Sequence, residues 1–366
     1  MTDTIIPEHM AGVLLTGHGG LDTLEFREDI PVPAVNPGEV LIRVGACAVN
    51  NTDINTRIGW YSKKVTDSTG AGGSGGFSSV DDNDASWAGV PLELPRIQGA
   101  DAAGTIVACG SNVDPGRMGQ RVLVRPMQQR ENTDQGINCI TFGSECDGGF
   151  AQYAKTRSDE AFAVNSALTD VELASFPCAY STAENMIERV GVKKGDTVLI
   201  PGASGGVGSA AVQLARLRGA KVIAVCGKTK TGRMAGLGAD KTIARGDSIV
   251  EALGRCSVDV VLDLVAGPQW PELLDVLKRG GRYGVAGAIA GPMVDLDVRI
   301  LYLKDLTLYG CTYQSRSSFE NLIRYIEEGR LVPMVAQAFP LEEIKKAQET
   351  FLSKNFVGKL VLVPPE

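Results

Sequence analysis

Apolar residues in the first part of the chain, from Met10 to about Ala163, come in short runs separated by turn residues. The runs have a β-like composition, as in "VLIRVGACAVN", "GTIVACG", "QRVLVRP" and "GGFAQYAK". Short apolar runs at close spacing are typical of strands in barrels and sandwiches. The pattern therefore predicts a β-rich, barrel-like unit.

The pattern changes after Ser166, where strand-like runs alternate with helical stretches. The strand-like runs are "TVLI", "KVIAV", "VDVVLDLV", "RYGVAG" and "LTLYGCTY", and helical stretches such as "PELLDVLKRGG" lie between them. Such alternation indicates a doubly wound, mostly parallel sheet. We therefore assign the chain to the α/β class, with a β-rich unit beside a parallel-sheet unit.

The tail adds two helical stretches and a last strand, "GKLVLV". We predict that this strand returns to the first unit. A chain of 366 residues exceeds the size at which one core usually keeps growing, which favours two domains. The predicted division is a discontinuous domain of residues 1–165 and 312–366 and an α/β domain of residues 166–311.

One stretch of the first unit is poor in large apolar residues. Residues 67–86, "DSTGAGGSGGFSSVDDNDAS", are rich in Gly, Ser and Asp and predict a long flexible loop. Long loops inside compact domains are either solvated insertions or functional lids. Both interpretations stay open for this one.

The charge and the cysteines narrow the class of protein. The net charge is −7, the pI is near 5.2, and the basic residues are spread among acidic ones. The sequence therefore predicts no positively charged patch for binding nucleic acid or an anionic membrane. Eight cysteines lack the dense spacing of a disulfide framework. No apolar run is long enough to cross a bilayer. We expect a cytoplasmic protein with reduced thiols and small-molecule partners.

A glycine-rich turn joins the first strand of the second unit to its helix. A dinucleotide site needs small residues for the tight turn, for close approach of pyrophosphate and for helix–strand packing. Here the pattern is Ala203, Gly205 and Gly208, and a helix that begins near Gly206 directs its free N–H groups at the phosphates. The predicted cradle comprises Ala203, Ser204, Gly205, Gly206, Val207 and Gly208.

The end of the next strand bears on the choice of cofactor. NAD sites place Asp or Glu there, to accept from the ribose 2′-hydroxyl. This strand ends at Cys226, and Lys228, Lys230 and Arg233 follow. Cations pair with a 2′-phosphate, so the pattern favours NADPH. Lys228 is the first candidate, with Lys230 and Arg233 as alternates, although basic residues after a strand are also ordinary solvated surface.

Several stretches together resemble the medium-chain dehydrogenase/reductase superfamily over almost the whole chain. They are "PGEVLIRVGACAVNNTDINTRIG", "IQGADAAGTIVACG", "DGGFAQYA", "AYSTAENMIERVGVKKGDTVLIPGASGGVGSAAVQLA", "LGAD" and "FVGKLVLV". The resemblance implies a GroES-like catalytic domain, a Rossmann domain for NADP, a cleft between them and hydride transfer with nicotinamide. It also implies a homodimer, through pairing of the edge strand "LTLYGCTY".

The metal ligands of the superfamily's zinc enzymes are largely missing. Asn50 stands for the first cysteine, Ala100 for the histidine and Asp101 for the glutamate, and Cys178 alone matches. The loop that matches the structural zinc lobe has only Cys139 and Cys146. Zinc sites need three or four such ligands, so we predict no metal. The chain resembles instead the zinc-independent quinone oxidoreductase and enone reductase branch. A metal-free site suits an already electrophilic acceptor, a quinone or an α,β-unsaturated ketone or aldehyde.

The resemblance also implies roles for side chains in the cleft. Asn50 and Thr52 are expected to project into it and donate hydrogen bonds to a developing oxyanion. Asp53 either caps the following turn or pairs with Lys359, which matches a basic cofactor-contacting position. Asn55 replaces the histidine that ends the proton relay of zinc alcohol dehydrogenases, so that relay is cut.

Other positions are expected around the nicotinamide. Thr182 resembles a residue beside the ring, and Gly267 and residues 286–288 (Ala286, Gly287, Ala288) are expected to line its ribose and amide. A proton for the substrate comes from solvent or from Tyr61, Tyr180 or Tyr313, and a buried structural tyrosine is the alternative for each. Two other functions stay open: a zinc-type alcohol dehydrogenase, and a non-catalytic NADPH-binding relative.

Overall fold

Two sheet systems, one mainly antiparallel and one parallel, organise the chain, and the computed structural model describes residues 6–133 and 136–366. The elements up to residue 163 are β1 (His9–Leu15), β2 (Leu24–Pro31), β3 (Glu39–Val49), α1 (Asn51–Ile58), α2 (Thr69–Gly72), β4 (Arg96–Ile97), β5 (Ala103–Cys109), β6 (Arg121–Val124), β7 (Met127–Thr133), β8 (Gly136–Thr141), β9 (Tyr153–Arg157) and β10 (Ala161–Ala163).

Helices alternate with strands through most of the remaining chain. These elements are α3 (Asp170–Leu173), α4 (Pro177–Val190), β11 (Thr197–Pro201), α5 (Gly206–Leu217), β12 (Lys221–Cys226), α6 (Thr231–Gly236), β13 (Lys241–Ala244), α7 (Ile249–Leu253), β14 (Val258–Asp263), α8 (Trp270–Val276), β15 (Leu277–Val285), α9 (Val298–Leu303), β16 (Thr307–Gly310), α10 (Arg316–Glu327), β17 (Val335–Pro340), α11 (Ile344–Ser353) and β18 (Lys359–Val363).

Strand β3 is the centre of the β-rich unit. The sheet runs in the order β10-β6-β5-β3-β18-β17, and β9 also pairs with β3. Strand β18 lies antiparallel to β3, with Val361 opposite Ala48, so the end of the chain returns to the first unit. Val40, Ile42 and Val49 on β3 are fully buried in its core.

The second unit is a parallel sheet in the order β13-β12-β11-β14-β15-β16. The order reverses between β11 and β14, and ligands of such sheets bind in the crevice at the carboxyl ends of the strands on either side of that point. The α/β class predicted from the pattern, with a β-rich unit beside a doubly wound sheet, is confirmed.

The tail helix α10 packs on the parallel-sheet unit. Its Phe319 and Leu322 are fully buried in one apolar cluster with Val198 of β11 and Ala210 of α5. The tail therefore serves both units, since β18 lies in the β-rich sheet and α10 covers the other. The division of the chain at residue 312 stays a prediction. Among the described residues, no helix has the length and apolarity to cross a membrane.

The first half of residues 67–86 is fixed to the β-rich unit by Arg57. This guanidinium is fully buried and donates to the Gly73 carbonyl (2.5 Å), the Gly19 carbonyl (2.7 Å) and Gln348 Oε1 (2.8 Å). Gly76 packs against Gly19, where an added Cβ would lie 2.6 Å from the Gly19 Cα. The solvated interpretation does not describe this half of the segment.

Candidate active site

The glycine turn lies between β11 and α5, at the point where the strand order reverses. Gly202 has a φ of +69°, a conformation that favours glycine. A Cβ at Gly208 would lie 2.3 Å from the Gly202 carbonyl oxygen, so close packing requires glycine. Gly205 is different: it is exposed, and its Cβ would meet only that oxygen, at 3.5 Å. Ala203 is buried beneath the turn and Val207 is half-buried. An open helix N-terminus of this kind fits a pyrophosphate.

The start of β18 lies directly against this turn. The Gly358 N–H donates to the Ser204 carbonyl (3.0 Å), and Gly358 also forms a parallel bridge with Gly205. A Cβ at Gly206 would lie 2.8 Å from Cδ of Lys359. The stem of Lys359 therefore passes beside the N-terminus of α5.

The ammonium of Lys359 ends in a buried polar group. Its Nζ lies 2.9 Å from Asp101 Oδ2, and it donates to the Val49 carbonyl (3.0 Å) and to Asn50 Oδ1. Asn50 Nδ2 donates to Asp101 Oδ2 (2.7 Å) and to the Ala48 carbonyl (3.1 Å). Every hydrogen of the ammonium and of the amide has a partner within the group. In this arrangement Asn50 keeps no amide hydrogen for a substrate oxygen.

Asp53 caps the start of α1, the first of its two predicted alternatives. Its Oδ2 accepts from the Asn50 N–H (2.7 Å), and its Oδ1 accepts from the Gly99 N–H (3.3 Å). Lys359 pairs with Asp101 instead. Burial raises the pKa of Asp53 to about 7. The capping bond fixes the backbone from which Asn50 and Thr52 project.

The residues at the zinc-ligand positions do not fit a catalytic zinc. Asn50 and Ala100 offer no anionic ligand, and both oxygens of Asp101 are engaged, with Oδ1 accepting from the Cys178 N–H (2.6 Å). Burial raises the pKa of the Cys178 thiol well above its ordinary value. The Lys359 ammonium also repels a divalent cation. Across residues 6–133 and 136–366, no three His, Cys, Asp or Glu side chains come together as a metal site.

Thr52 and Tyr61 form a hydrogen-bonded pair beside this group. Thr52 lies in the first turn of α1, and Tyr61 follows the end of that helix. The phenol of Tyr61 donates to Thr52 Oγ1 (3.0 Å). Because Oγ1 is the acceptor, the Thr52 hydroxyl hydrogen is left for another group. Burial raises the pKa of Tyr61 to about 12, so its phenol stays protonated at neutral pH.

Two further predicted residues lie on α4. Thr182 is half-buried one turn after Cys178, bonds to its carbonyl (2.7 Å) and accepts from Gln314 Nε2 (2.9 Å), so it shares the face that meets Asp101. Tyr180 is fully buried on another face. Its phenol donates to the Val332 carbonyl (2.7 Å) and accepts from Gln213 Nε2 (2.9 Å). The structure does not bring Tyr180 to Thr52 and Tyr61.

The loops after β14 and β15 meet at the same edge of the sheet as the glycine turn. The N–H of Ala286 donates to the Asp263 carbonyl (3.1 Å), and the N–H of Ala290 donates to the Val265 carbonyl (2.9 Å). Gly267 has a φ of +67°, and a Cβ there would lie 2.7 Å from the Ala290 Cβ. Residues 286–288 are half-buried. We expect the nicotinamide end of the cofactor to lie beside these loops.

The cations predicted at the end of β12 differ in their surroundings. Cys226 is buried at the strand end, and Lys228 and Arg233 are exposed. Lys230 is half-buried, and its ammonium donates to the backbone carbonyl of Lys354. Lys230 therefore faces the tail of the chain, while Lys228 and Arg233 face solvent.

The tail supplies a cation that sequence reasoning missed. Lys354 follows α11 with a φ of +54°, and its ammonium lies 3.9 Å from the ring centroid of Phe351. Burial and the charge of Lys230 lower the pKa of Lys354 to about 8. Burial and the charge of Arg245 also lower the pKa of Lys230. A cluster of cations in which one lowers the pKa of its neighbour is suited to bind an anion.

The chain is similar to known proteins over both units. Residues 36–166 match the family model "Alcohol dehydrogenase GroES-like domain", and residues 206–328 match "Zinc-binding dehydrogenase". A solved structure of a putative alcohol dehydrogenase from Sinorhizobium meliloti 1021 is 45% identical, with a TM-score of 0.87 and 98% of each chain covered.

Curated relatives extend the comparison to named activities. Human quinone oxidoreductase is 29% identical, over 97% of this chain and 98% of the relative. Acryloyl-coenzyme A reductase of Metallosphaera sedula is 28% identical, over 96% of this chain and 99% of the relative.

Proposed function

The chain belongs to the medium-chain dehydrogenase/reductase superfamily, in its quinone oxidoreductase-like branch, and on that premise we propose that it transfers hydride from NADPH to a conjugated acceptor. It is thus an oxidoreductase of that superfamily. The proposed acceptor is a quinone or an α,β-unsaturated ketone or aldehyde. One observation carries the proposal: the uncharged donors Thr52 and Tyr61 adjoin Asn50 and Asp101, which stand at zinc-ligand positions and are bonded to the Lys359 ammonium.

The cradle and the cations support NADPH as the cofactor. The exposed backbone at Gly205 leaves room for a pyrophosphate at the N-terminus of α5. Lys230 and Lys354 come together beyond the end of β12, where an acidic residue would select NAD. We assign the 2′-phosphate to this pair, with Lys228 and Arg233 at the exposed rim of the same site.

The mechanism assigns separate tasks to the polar side chains. Held at Gly205 and the N-terminus of α5, NADPH would supply the hydride for the conjugated carbon of the acceptor. The hydroxyl of Thr52 donates to the acceptor oxygen, where negative charge develops. Tyr61 donates to Thr52 and stays neutral, because burial raises its pKa to about 12. A proton from solvent completes the reduction. Asn50 and Lys359 act as positioning residues that hold Asp101 and the start of α1.

The named relatives support the acceptor class. A quinone and an acryloyl thioester, named in two relatives, are both conjugated electrophiles that need no Lewis acid to accept hydride. A simple alcohol is a poor substrate for this site, since no metal-lowered pKa helps to remove its proton.

A panel of acceptors tests the proposal. NADPH fluorescence and oxidation are followed with quinones, enones, aldehydes and alcohols, and we expect turnover with the conjugated acceptors. Activity confined to simple alcohols with NAD, together with stoichiometric zinc and inactivation by a chelator, would show a zinc-type alcohol dehydrogenase. Binding of NADPH without oxidation by any acceptor would show a non-catalytic relative.

We also propose a cytoplasmic homodimer. Strand β16 is the edge of the parallel sheet, and within residues 6–133 and 136–366 it pairs with β15 alone. Apolar side chains are exposed on and around it: Met293, Val294, Leu296, Val298, Tyr302, Leu303 and Leu308. An unpaired edge beside an apolar patch favours pairing with a second copy across a two-fold axis. Cysteine spacing without a disulfide framework supports the reducing compartment.

A further inference from the structure

We propose that Asp263 is a positioning residue for the nicotinamide half of the cofactor and acts by holding the loop of residues 264–267 in a strained conformation. The inference rests on the proposed function, because it concerns the bound dinucleotide. Asp263 is the last residue of β14, one of the two strands at which the strand order reverses, and it is fully buried. Ligands of doubly wound sheets bind in the crevice at this end of the strands.

The carboxylate of Asp263 accepts hydrogen bonds from the loop and from the next strand. Its Oδ1 accepts from the N–H groups of Val265 (2.8 Å) and Ala266 (3.1 Å). Its Oδ2 accepts from the phenol of Tyr283 (2.6 Å), which lies on β15 and in turn accepts from Trp270 Nε1 (2.9 Å). Burying a carboxylate is costly unless donors compensate it, so these bonds fix the loop against the strand end.

The loop that Asp263 holds has a backbone conformation that alanine disfavours. Ala266 has a φ of +51° and a ψ of −138°, and Gly267 follows with a φ of +67°. Strained residues persist only where the surrounding contacts impose them, and they cluster at ligand sites. The bonds from Asp263 to two successive N–H groups supply that constraint here. Without them, we expect Ala266 to leave this conformation.

The loop of residues 264–267 lies between the glycine turn and the loop after β15. On one side, a Cβ at Gly202 would lie 3.0 Å from Val265 Cγ2. On the other side, the N–H of Ala290 donates to the Val265 carbonyl (2.9 Å). A change in this loop would therefore move the surfaces that we assign to the nicotinamide half. A cofactor fragment without nicotinamide should bind as before, because its phosphates bind at α5 and at the cations beyond β12.

Asp263→Ala tests this role, because it removes the acceptors of the loop. We expect the Kd for NADPH to rise about tenfold, with the Kd for 2′,5′-ADP, which has no nicotinamide, unchanged. Asp263→Asn keeps one acceptor atom, so its Kd for NADPH should rise only about threefold, and it carries the test if Asp263→Ala does not fold. The matched control is Asp259→Ala, near the other end of β14, which should bind both ligands as the wild type does. Calorimetry gives each Kd, and thermal unfolding verifies that each variant folds.

Ala266→Gly tests the action through the loop. Glycine adopts a φ of +51° without strain, so adding Ala266→Gly to Asp263→Ala should recover most of the lost NADPH affinity. A merely structural loss of the carboxylate would not be recovered in this way. A double variant as weak as Asp263→Ala would overturn the proposal, and so would equal weakening of NADPH and 2′,5′-ADP.

These binding measurements need no turnover, so they decide on Asp263 even if the wild type reduces no acceptor and the proposed function fails. For a wild type that prefers NADH, the two ligands are NADH and 5′-AMP, and the same differences are expected. A wild type that binds neither coenzyme would overturn the proposed function and this inference together. A wild type that turns over, beside an Asp263→Ala variant that binds NADPH equally well, would overturn this inference alone.

Discussion

Lys359 and Asp101 form a buried ion pair, with Nζ 2.9 Å from Oδ2, across 258 positions of the chain. The side chains are 2% and 0% exposed, so each charge depends on the other in the interior. Asn50 bonds to both partners and begins the turn that carries Thr52. The pair therefore fixes the place of the donors relative to the cofactor cradle.

The first prediction concerns stability. Lys359→Met should lower the free energy of unfolding by about 3–5 kcal/mol, because it leaves the Asp101 carboxylate buried and unpaired. Urea unfolding measures the loss. Lys359→Met combined with Asp101→Asn should recover part of it. Lys346→Met removes an exposed ion pair with Glu343 and should change stability by less than about 0.5 kcal/mol. Equal losses for Lys359→Met and Lys346→Met would contradict the interpretation.

Thr52→Val should lower kcat with a conjugated acceptor by about 100-fold, because a donor to the developing oxyanion is lost. Thr52→Ser keeps the hydroxyl and should retain most of the activity. Steady-state kinetics give kcat, and fluorescence titration gives the Kd for NADPH, which should stay the same. Full activity of the valine variant would remove Thr52 from the role of donor.

Lys230→Met and Lys354→Met should each weaken NADPH binding about 10–100-fold, as expected for the loss of a charge-assisted contact with the 2′-phosphate. NADH binding should change little, because NADH lacks that phosphate. Calorimetry with both cofactors measures the difference. Lys221→Met, at the opposite end of β12, is the matched control. Equal weakening of NADH and NADPH would place the phosphate elsewhere.

The pKa of Lys354 predicts a pH dependence. Burial and the charge of Lys230 lower this pKa to about 8, so the ammonium is charged below pH 8 and neutral above it. NADPH affinity should therefore decline as the pH rises from about 7 through 8. Binding near pH 8 should take up a proton, seen by calorimetry in buffers of different ionisation enthalpy. Lys354→Met should lose the decline, and its persistence in that variant would exclude Lys354 as its source.

Leu308→Glu should convert the proposed dimer to a monomer, because it places a charge on the apolar edge strand. Leu308 is 37% exposed. The control is Met118→Glu, which places the same charge at an apolar residue of the β-rich unit that is 48% exposed. Size-exclusion chromatography with light scattering gives the mass of each. A dimer that survives Leu308→Glu would show that the copies associate through another surface.

Local features of this fold could be predicted from the sequence, because neighbours in the chain set them. The turn requires glycine at two places, at Gly202 because its φ is positive and at Gly208 because the backbone packs closely there. Both glycines can be read directly from the sequence. The alternation of strands and helices after Ser166 likewise gives the parallel sheet.

Features made by distant residues could not be predicted in the same way. The sequence predicts that Asn50 donates to the substrate, whereas in the structure its amide hydrogens are engaged by Ala48 and Asp101 and its oxygen by Lys359, 309 positions away. Lys354 reaches Lys230 across 124 positions. Thr69 lies in a stretch whose composition predicts a loop, and composition carries no sign that its hydroxyl donates to Asn55 Oδ1 (3.0 Å).

The place of β18 has a consequence for the order of events during refolding. The Lys359 ammonium closes a bond to Val49 over 310 positions, whereas the strand–turn–helix of residues 197–217 is made by near neighbours. Contacts of long sequence separation are closed late, since the chain entropy they remove is larger. We therefore expect the strand and helix of the nucleotide cradle to form before the contacts that fix the acceptor side of the site.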